Sequence, residues 1–134
     1  MAGSIISDSS FQATKIALEG LAARQQVISR NIANADTPGY QSETVNFETA
    51  IKQALNKTQQ LPMQTTNAAH ILPTGQSGTI QVANRTGGTE RADQNNVDID
   101  TELSDMTDTA MRYQTLTTEA SKKILLLKAI AAAR

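Results

Sequence analysis

The sequence predicts a mainly α protein, in which long N- and C-terminal helices form a coiled-coil-like bundle beside a short polar middle segment. Apolar residues recur at alternating spacings of three and four near both ends, which is the pattern of a helix with an apolar seam. Most of the prolines and glycines, which interrupt helices, lie between those two stretches. Only 3% of the 134 residues are aromatic, so we expect a thin aliphatic core or one completed by partner chains.

The first helix is predicted over residues 9–35. Polar side chains at positions 7–10 can accept hydrogen bonds from its free N–H groups. Pro38 disfavours the helical conformation at Thr37, so the helix is expected to end before that pair. Pro38 and Gly39 are also the residues expected at the centre of a type II turn, where the glycine takes a positive φ. The seam of this helix, expected to be an assembly surface, comprises Phe11, Leu18, Leu21, Ile28 and Ile32.

The middle of the chain is predicted to contain one short helix and loops. Residues 46–56 carry Phe47, Ile51 and Leu55 at helical spacing, which indicates a helix with one small apolar face. Residues 58–95 are polar and rich in proline and glycine, which is typical of exposed loops. Within them, residues 70–72 and 79–83 look like short strands and indicate a small β-hairpin.

The last helix is predicted over residues 100–131, because this stretch contains neither glycine nor proline. Acidic residues at its start and lysines at its end match the sign of the helix dipole. Its seam, also expected to be an assembly surface, comprises Leu103, Met106, Tyr113, Ile124 and Leu127. The chain is thus expected to divide into an N-terminal assembly helix with its turn (1–40), an exposed middle region (41–95) and a C-terminal assembly helix (96–134).

The two apolar stripes allow two interpretations. The helices could pack on each other in a closed monomeric hairpin. Both helices, however, carry further apolar residues beside the seam, such as Val27 in the first and Leu125 in the last. Because one seam satisfies one partner, the wider face favours assembly with other chains, and the closed hairpin remains the alternative.

Several kinds of function are disfavoured by the sequence. A net charge of −1 provides no field to attract a nucleic acid. His70 is the single histidine and there is no cysteine, so a transition-metal site lacks its usual ligands. Residues 96–100 begin like a calcium loop, but Thr101 and Thr107 stand where that loop needs glycine and glutamate, so the acidic cluster is expected to cap the helix. We expect no catalytic, cofactor or metal site and no small-molecule substrate, since nothing brings an acid, a base and a nucleophile together.

Two stretches resemble a known family. Residues 24–40 resemble the signature of the flagellar rod and hook axial proteins, in which a helix ends in an N-x-A-N-x-x-T-P-G-Y turn. The residues that match this turn are Asn31, Asn34, Thr37, Pro38, Gly39 and Tyr40. Residues 95–102, which read N-N-V-D-I-D-T-E, and the following R-Y-Q at 112–114 resemble the C-terminal region of the proximal rod members of that family. The resemblance covers both ends of the chain and does not extend to the middle.

The resemblance implies a structural subunit of the proximal rod of the bacterial flagellar basal body, without enzymatic activity. Such subunits assemble through their terminal helices into a hollow shaft that transmits torque in the periplasm. The implied partners are the chain itself, other rod proteins, the rod adaptor protein, the inner-membrane ring and the export gate. Export without a cleaved signal is also implied, and residues 1–10 contain none of the lysine or arginine that such a signal would need.

Two alternatives stay open at this point. The chain could be another rod protein of the same family, with the same fold and a place in a different layer. It could instead be a soluble coiled-coil adaptor or export chaperone, which would bind its client in the cytoplasm and never enter the basal body.

Overall fold

The computed structural model describes residues 9–56, 80–87 and 89–132. The predicted strand at 70–72 and the capping positions 7–8 lie outside the described residues. The elements in chain order are α1 (Ser9–Ala33), β1 (Glu43–Asn46), α2 (Glu48–Asn56), β2 (Gln81–Asn84) and α3 (Ile99–Ala132). The predicted fold class, mainly helical with long terminal helices, is confirmed, and the boundaries of α1 and α3 differ from the predicted ones by two residues or fewer.

Helices α1 and α3 pack against each other in opposite directions. Near the end of α1, the side chain of Asn31 donates a hydrogen bond to Glu102 in the first turn of α3. Near the start of α1, the hydroxyl of Ser10 accepts a hydrogen bond from the amine of Lys123, close to the far end of α3. The two terminal helices therefore form an antiparallel hairpin within one chain.

The face of α3 that packs on α1 repeats every seven residues. Glu102 and Thr109 are buried, Leu116 packs against the core, and Lys123 contacts Ser10. The apolar stripe expected from the sequence shares Met106 and Tyr113 with this repeat, since both lie between its members. Of its other members, Leu127 continues the shared positions, whereas Leu103 and Ile124 follow the packed Glu102 and Lys123 by one residue, so part of the apolar stripe lies beside the packed face.

Strands β1 and β2 form a two-stranded antiparallel sheet, with Glu43 opposite Asn84 and Asn46 opposite Gln81. The pairing continues one residue further, because Arg85 donates its N–H to the carbonyl oxygen of Ser42 over 2.7 Å. Strand β2 overlaps the predicted strand at 79–83, whereas β1 was not expected. Its partner is about forty residues away in sequence, a separation that local periodicity does not report.

The core is small and lies where α1, α3 and β1 meet. Its buried members are Leu21, Val27, Val45 and Phe47, and the partly buried Ala23, Ile51, Ile80 and Leu116 pack against them. Phe47 is the one aromatic ring in this cluster and lies against Gly20 of α1, where a Cβ atom would come within 2.3 Å of its ring. Among the described helices, none is long and apolar enough to cross a membrane.

Candidate functional site

The corner between α1 and β1 contains the six residues that match the family turn motif. Asn34 donates from Nδ2 to the carbonyl oxygen of Arg30 and accepts a hydrogen bond from the hydroxyl of Thr37. The N–H of Tyr40 then donates to the carbonyl oxygen of Thr37 over 3.2 Å, and Gly39 has φ of 73°. These are the features of a type II turn, so the predicted turn at Pro38 and Gly39 is confirmed.

Asn31 connects this corner to the rest of the fold. Its side chain is fully buried and uses all the hydrogen-bonding capacity of an amide. Nδ2 donates to the carbonyl oxygen of Glu43 and to Oε1 of Glu102, over 2.9 and 3.1 Å. Oδ1 accepts from the Tyr40 hydroxyl and from the Glu43 N–H, both over 3.0 Å. One side chain therefore joins α1, the turn, β1 and α3.

Asn95 holds the same corner from the other side. Its Nδ2 lies 2.9 to 3.0 Å from the carbonyl oxygens of Asn34, Ala35 and Thr37, which follow the end of α1. Its Oδ1 accepts from the N–H of Val97 over 2.8 Å, which shapes the chain just before α3. Because the last carbonyls of a helix have no partner within it, this side chain satisfies groups that a buried helix end would otherwise leave unpaired.

Two more bonds close the corner. The side-chain oxygen of Asn96 accepts from the N–H of Ser42 over 2.6 Å, and Gly39 donates its N–H to the carbonyl oxygen of Asp93 over 2.8 Å. Arg91 donates to the carbonyl oxygens of Ala35 and Val97. The segment before α3 is thus bonded to the segment after α1 along its whole length.

Glu102 is a buried carboxylate at the centre of this junction, with 1% of its surface exposed. Besides Asn31, its Oε1 faces Nη1 of Arg85 at 3.5 Å, while Arg85 pairs more closely with Asp105, Nη2 to Oδ2 over 2.6 Å. Among the residues that the structure describes, Oε2 has no hydrogen-bond partner. Burial raises the pKa of Glu102 above its ordinary value of 4.5, against the opposing effects of Asn31 and Arg85. The carboxylate is therefore paired on one oxygen only.

Other titratable groups at the corner have simpler surroundings. The side-chain and backbone hydrogen bonds from Thr101 lower the pKa of Asp98, which also accepts from the N–H of Asp100. This is the geometry of a helix cap, so the predicted capping by the acidic cluster is confirmed at Asp98. Burial, followed by the nearby charge of Glu43, raises the pKa of the Tyr40 hydroxyl.

Arg24 attaches the middle of α1 to β1. Its Nη2 donates to the carbonyl oxygen of Val45 over 3.1 Å, and its guanidinium lies 4.7 Å from the centre of the Phe47 ring, within the range of a cation–π interaction. A small cavity of about 230 Å³ opens beside it, between α1, β1 and α3. Its wall includes Glu43, Asp105 and Asp108, and no group of three metal-ligating side chains is present among the described residues.

The predicted seam residues are more deeply buried in α1 than in α3. In α1, Leu21 and Ile28 are buried, while Phe11, Leu18 and Ile32 are partly buried. In α3, Met106 and Leu127 are partly buried, whereas Leu103, Tyr113 and Ile124 are exposed, Leu103 at 49% and Ile124 at 42%. The six turn residues are brought together at the corner, next to Glu43 and Asn95. The role of both seams in assembly stays a prediction.

Sequence reasoning missed Gly20 beside Phe47 and, at the corner, Glu43, Arg85, Arg91 and Glu102. An isolated glycine within a helical pattern is a signal of close packing, so Gly20 could have been found. Glu102 was grouped with the acidic residues that match the helix dipole at the start of the last helix, and no local pattern distinguishes it from them. Glu43 and Arg85 act through contacts with distant parts of the chain.

Comparison with known proteins gives a consistent result. Residues 15–41 match a family model described as "Flagella basal body rod protein". A protein of Aeromonas hydrophila named "Flagellar basal body rod protein FlgB" is 34% identical over 125 residues, covering 92% of this chain and 93% of the relative. Proteins of the same name from Yersinia enterocolitica and Escherichia coli are 34% and 31% identical, covering 74% and 80% of this chain and 76% and 81% of their own.

Proposed function

Since this chain belongs to the FlgB family of flagellar basal body rod proteins and is a rod subunit, we propose that it assembles through its terminal helices into the proximal part of a hollow, torque-transmitting shaft. The subunits beside it would be copies of itself and other rod proteins. The rod adaptor protein, the inner-membrane ring and the export gate complete the proposed set of partners. We further propose that it reaches the periplasm without a cleaved signal.

The observation that carries this proposal is the uneven distribution of apolar surface. Ten large hydrophobic side chains of the described residues are exposed, and eight of them lie on α3. These eight are Ile99, Leu103, Met111, Tyr113, Ile124, Leu125, Leu126 and Ile130. None of the ten lies on α1. Exposed apolar surface concentrated on one helix indicates an interaction site, so α3 is the expected main contact with neighbouring subunits.

The C-terminal end of α3 also supports assembly with neighbouring subunits. Ile124, Leu125 and Leu126 point to three different sides of the helix, since consecutive residues are 100° apart, and Ile130 lies on the same side as Leu126. All four are at least 40% exposed in the single chain. A helix that is apolar all round is normally buried on every side, so this end is expected to be enclosed by helices of several neighbours.

The corner supports a mechanical role. Torque transmission requires that α1, α3 and the sheet move as one body. Asn31 bonds to β1 and α3 at once, and Asn95 bonds the end of α1 to the start of α3. Because these amides are buried and fully paired, separating the helices at this end would leave several polar groups without partners, which opposes shear between them.

Complementation in a flagellated bacterium that lacks its own rod protein of this type tests the proposal. Leu103→Glu and Leu125→Glu place charges on exposed apolar positions of α3. The control, Gln26→Glu, places a charge on an exposed polar position of α1. The two α3 variants are expected to fold, by circular dichroism, and to be missing from purified basal bodies of non-motile cells. The Gln26 variant should support motility.

Two results would contradict the proposal. One is normal incorporation and motility of both α3 variants. The other is recovery of the unmodified chain in the cytoplasm, bound to another flagellar protein and absent from basal bodies, which is the behaviour of an adaptor or export chaperone.

A further inference from the structure

Helix α3 contains two overlapping apolar seams. They share the positions of Met106, Tyr113, Ala120 and Leu127, which recur at spacings of seven. The first seam is completed by Glu102, Thr109, Leu116 and Lys123, and the second by Leu103, Ala110, Thr117 and Ile124. A modest rotation of α3 about its axis would exchange one seam for the other against α1, because the completing positions are adjacent in sequence.

Hydrophobic burial alone favours the second seam. Its completing positions are Leu103, Ala110, Thr117 and Ile124, whereas the first seam places Glu102, Thr109, Leu116 and Lys123 toward α1. The second seam would thus bury two large apolar side chains in place of one. The structure nevertheless packs the first seam on α1 and leaves Leu103 and Ile124 exposed. Some other interaction must select this arrangement.

The contacts of Glu102 provide that selection. Its Oε1 accepts from Asn31 of α1 and faces Arg85, which is itself held by the carbonyl oxygen of Ser42 and by Asp105. Turning α3 to bring Leu103 inward would move Glu102 away from both partners. Asn31 would then lose one of its four hydrogen bonds in a buried position, and a buried polar group without a partner is costly.

We propose that Glu102 is a positioning residue, which holds α3 in the register that keeps the second seam free for neighbouring subunits. The inference rests on the proposed function, because it explains how the assembly surface of α3 stays exposed. A buried polar group can fix helix register at some cost in stability. Oε2 of Glu102 has no hydrogen-bond partner within the described part of the chain, and this incomplete pairing agrees with a role in specificity more than in stability.

The test measures which seam faces α1 in the purified chain, which contains no cysteine of its own. Single cysteines are introduced as Thr109→Cys, on the packed seam, and Ile124→Cys, on the exposed one. Their rates of reaction with a small thiol reagent are compared in four backgrounds: unmodified, Glu102→Leu, Glu102→Gln and Asp105→Asn. Asp105→Asn is the matched control, since it removes the exposed acidic partner of the same arginine.

We expect the cysteine at 124 to react at least about tenfold faster than the one at 109 in the unmodified chain, because buried groups react only through opening. In Glu102→Leu this ratio should fall to near one or invert, while the melting temperature is unchanged or higher. Glu102→Gln keeps an acceptor for Asn31 and should retain the ratio, as should Asp105→Asn.

An unchanged ratio in Glu102→Leu would overturn the proposal. If Glu102→Leu fails to unfold cooperatively, Glu102→Met replaces it, and loss of cooperative unfolding in both would show a structural residue and also overturn the proposal. Because labelling is read on the free chain, its outcome is independent of rod assembly. Normal incorporation and motility of both Leu103→Glu and Leu125→Glu would contradict the proposed function and leave the register result standing.

Discussion

The side-chain amide of Asn31 pairs with the backbone of Glu43 as a neighbouring strand would, accepting its N–H over 3.0 Å and donating to its C=O over 2.9 Å. Strand β1 therefore has β2 on one edge and a helix side chain on the other. The second edge is also closed by Arg24, which donates to the carbonyl oxygen of Val45. An edge strand with unpaired backbone groups is a site of unwanted pairing, and these two side chains remove it on β1.

Replacement of Asn31 by alanine is expected to destabilise the chain by roughly 3 kcal/mol or more, because four hydrogen bonds to buried or partly buried partners are lost and each unpaired group costs about 1–3 kcal/mol. Those partners are Glu43, Tyr40 and Glu102. Urea unfolding of the purified chain measures the change. Gln26→Ala, at an exposed position of the same helix, is the control and should change stability by less than about 0.5 kcal/mol. Equal effects of the two variants would contradict the assigned role of Asn31.

Asn95 offers a test in which shape is kept and only hydrogen-bond character changes. Asn95→Asp retains the acceptor for the N–H of Val97 but places a carboxylate oxygen against three carbonyl oxygens. We expect it to be at least as destabilising as Asn95→Ala, whereas Asn46→Asp, at an exposed position opposite the uncharged Gln81, should have little effect. Thermal melting at neutral pH checks this order. A stable Asn95→Asp chain would show that the donated bonds contribute little.

Replacement of Gly20 by alanine, which has the smallest side chain, is expected to destabilise the chain. Alanine is favoured over glycine within a helix by about 1 kcal/mol, yet its Cβ would overlap the Phe47 ring. Overpacking of this kind typically costs about 1–3 kcal/mol, so Gly20→Ala should lower the stability of the chain. The double variant Gly20→Ala with Phe47→Leu should show a favourable coupling, measured by a double-mutant cycle. Additive effects of the two changes would contradict direct contact.

The helices of this fold could be predicted from the sequence because their patterns are local. Strand β1 could not, since its pairing depends on a distant strand and on the side chain of Asn31. The turn residues were identified from the family motif, and the structure adds the physical reason, which is that Asn31 and Asn34 bond to groups from separate elements. For α3, periodicity identified a wide apolar stripe but could not show which of its edges faces α1. That choice depends on Glu102, whose burial no local pattern reveals.

Glu102 is also expected to give the chain an unusual pH dependence. Burial raises its pKa in the folded state above the ordinary value of 4.5, so the folded chain binds the proton more tightly than the unfolded chain does. Its contribution to stability is therefore greatest below about pH 4.5 and is lost as pH rises through the folded pKa. The charged groups near it that oppose or add to this shift are Arg85, Asp105 and Asp98.

The measurement compares the unfolding free energy of the unmodified chain with that of Glu102→Gln from pH 4 to pH 7. As pH rises, the unfolding free energy of the glutamine variant should increase relative to that of the unmodified chain. Asp105→Asn, for which the same comparison is made, serves as the control. A difference that moves in favour of the unmodified chain with rising pH would mean that Arg85 outweighs burial.

Substitutions at Gly39 test whether assembly depends on the backbone geometry of the corner. Its φ of 73° is disfavoured for residues with a Cβ by roughly 1–2 kcal/mol, and most strongly for β-branched ones. Apart from Gly39 and its two chain neighbours, no described residue has an atom within 4 Å of the place where a Cβ would be, so backbone strain and not a clash is the expected cause of any defect. Gly39→Val should therefore strain the turn and displace Tyr40, whose hydroxyl bonds to Asn31. Asparagine tolerates this φ, so Gly39→Asn should behave much more like the unmodified chain.

We expect the valine variant to accumulate as a folded chain that enters basal bodies poorly, measured by basal-body content and swimming. Equal swimming with valine and asparagine would show that the assembled rod does not depend on the geometry of this turn.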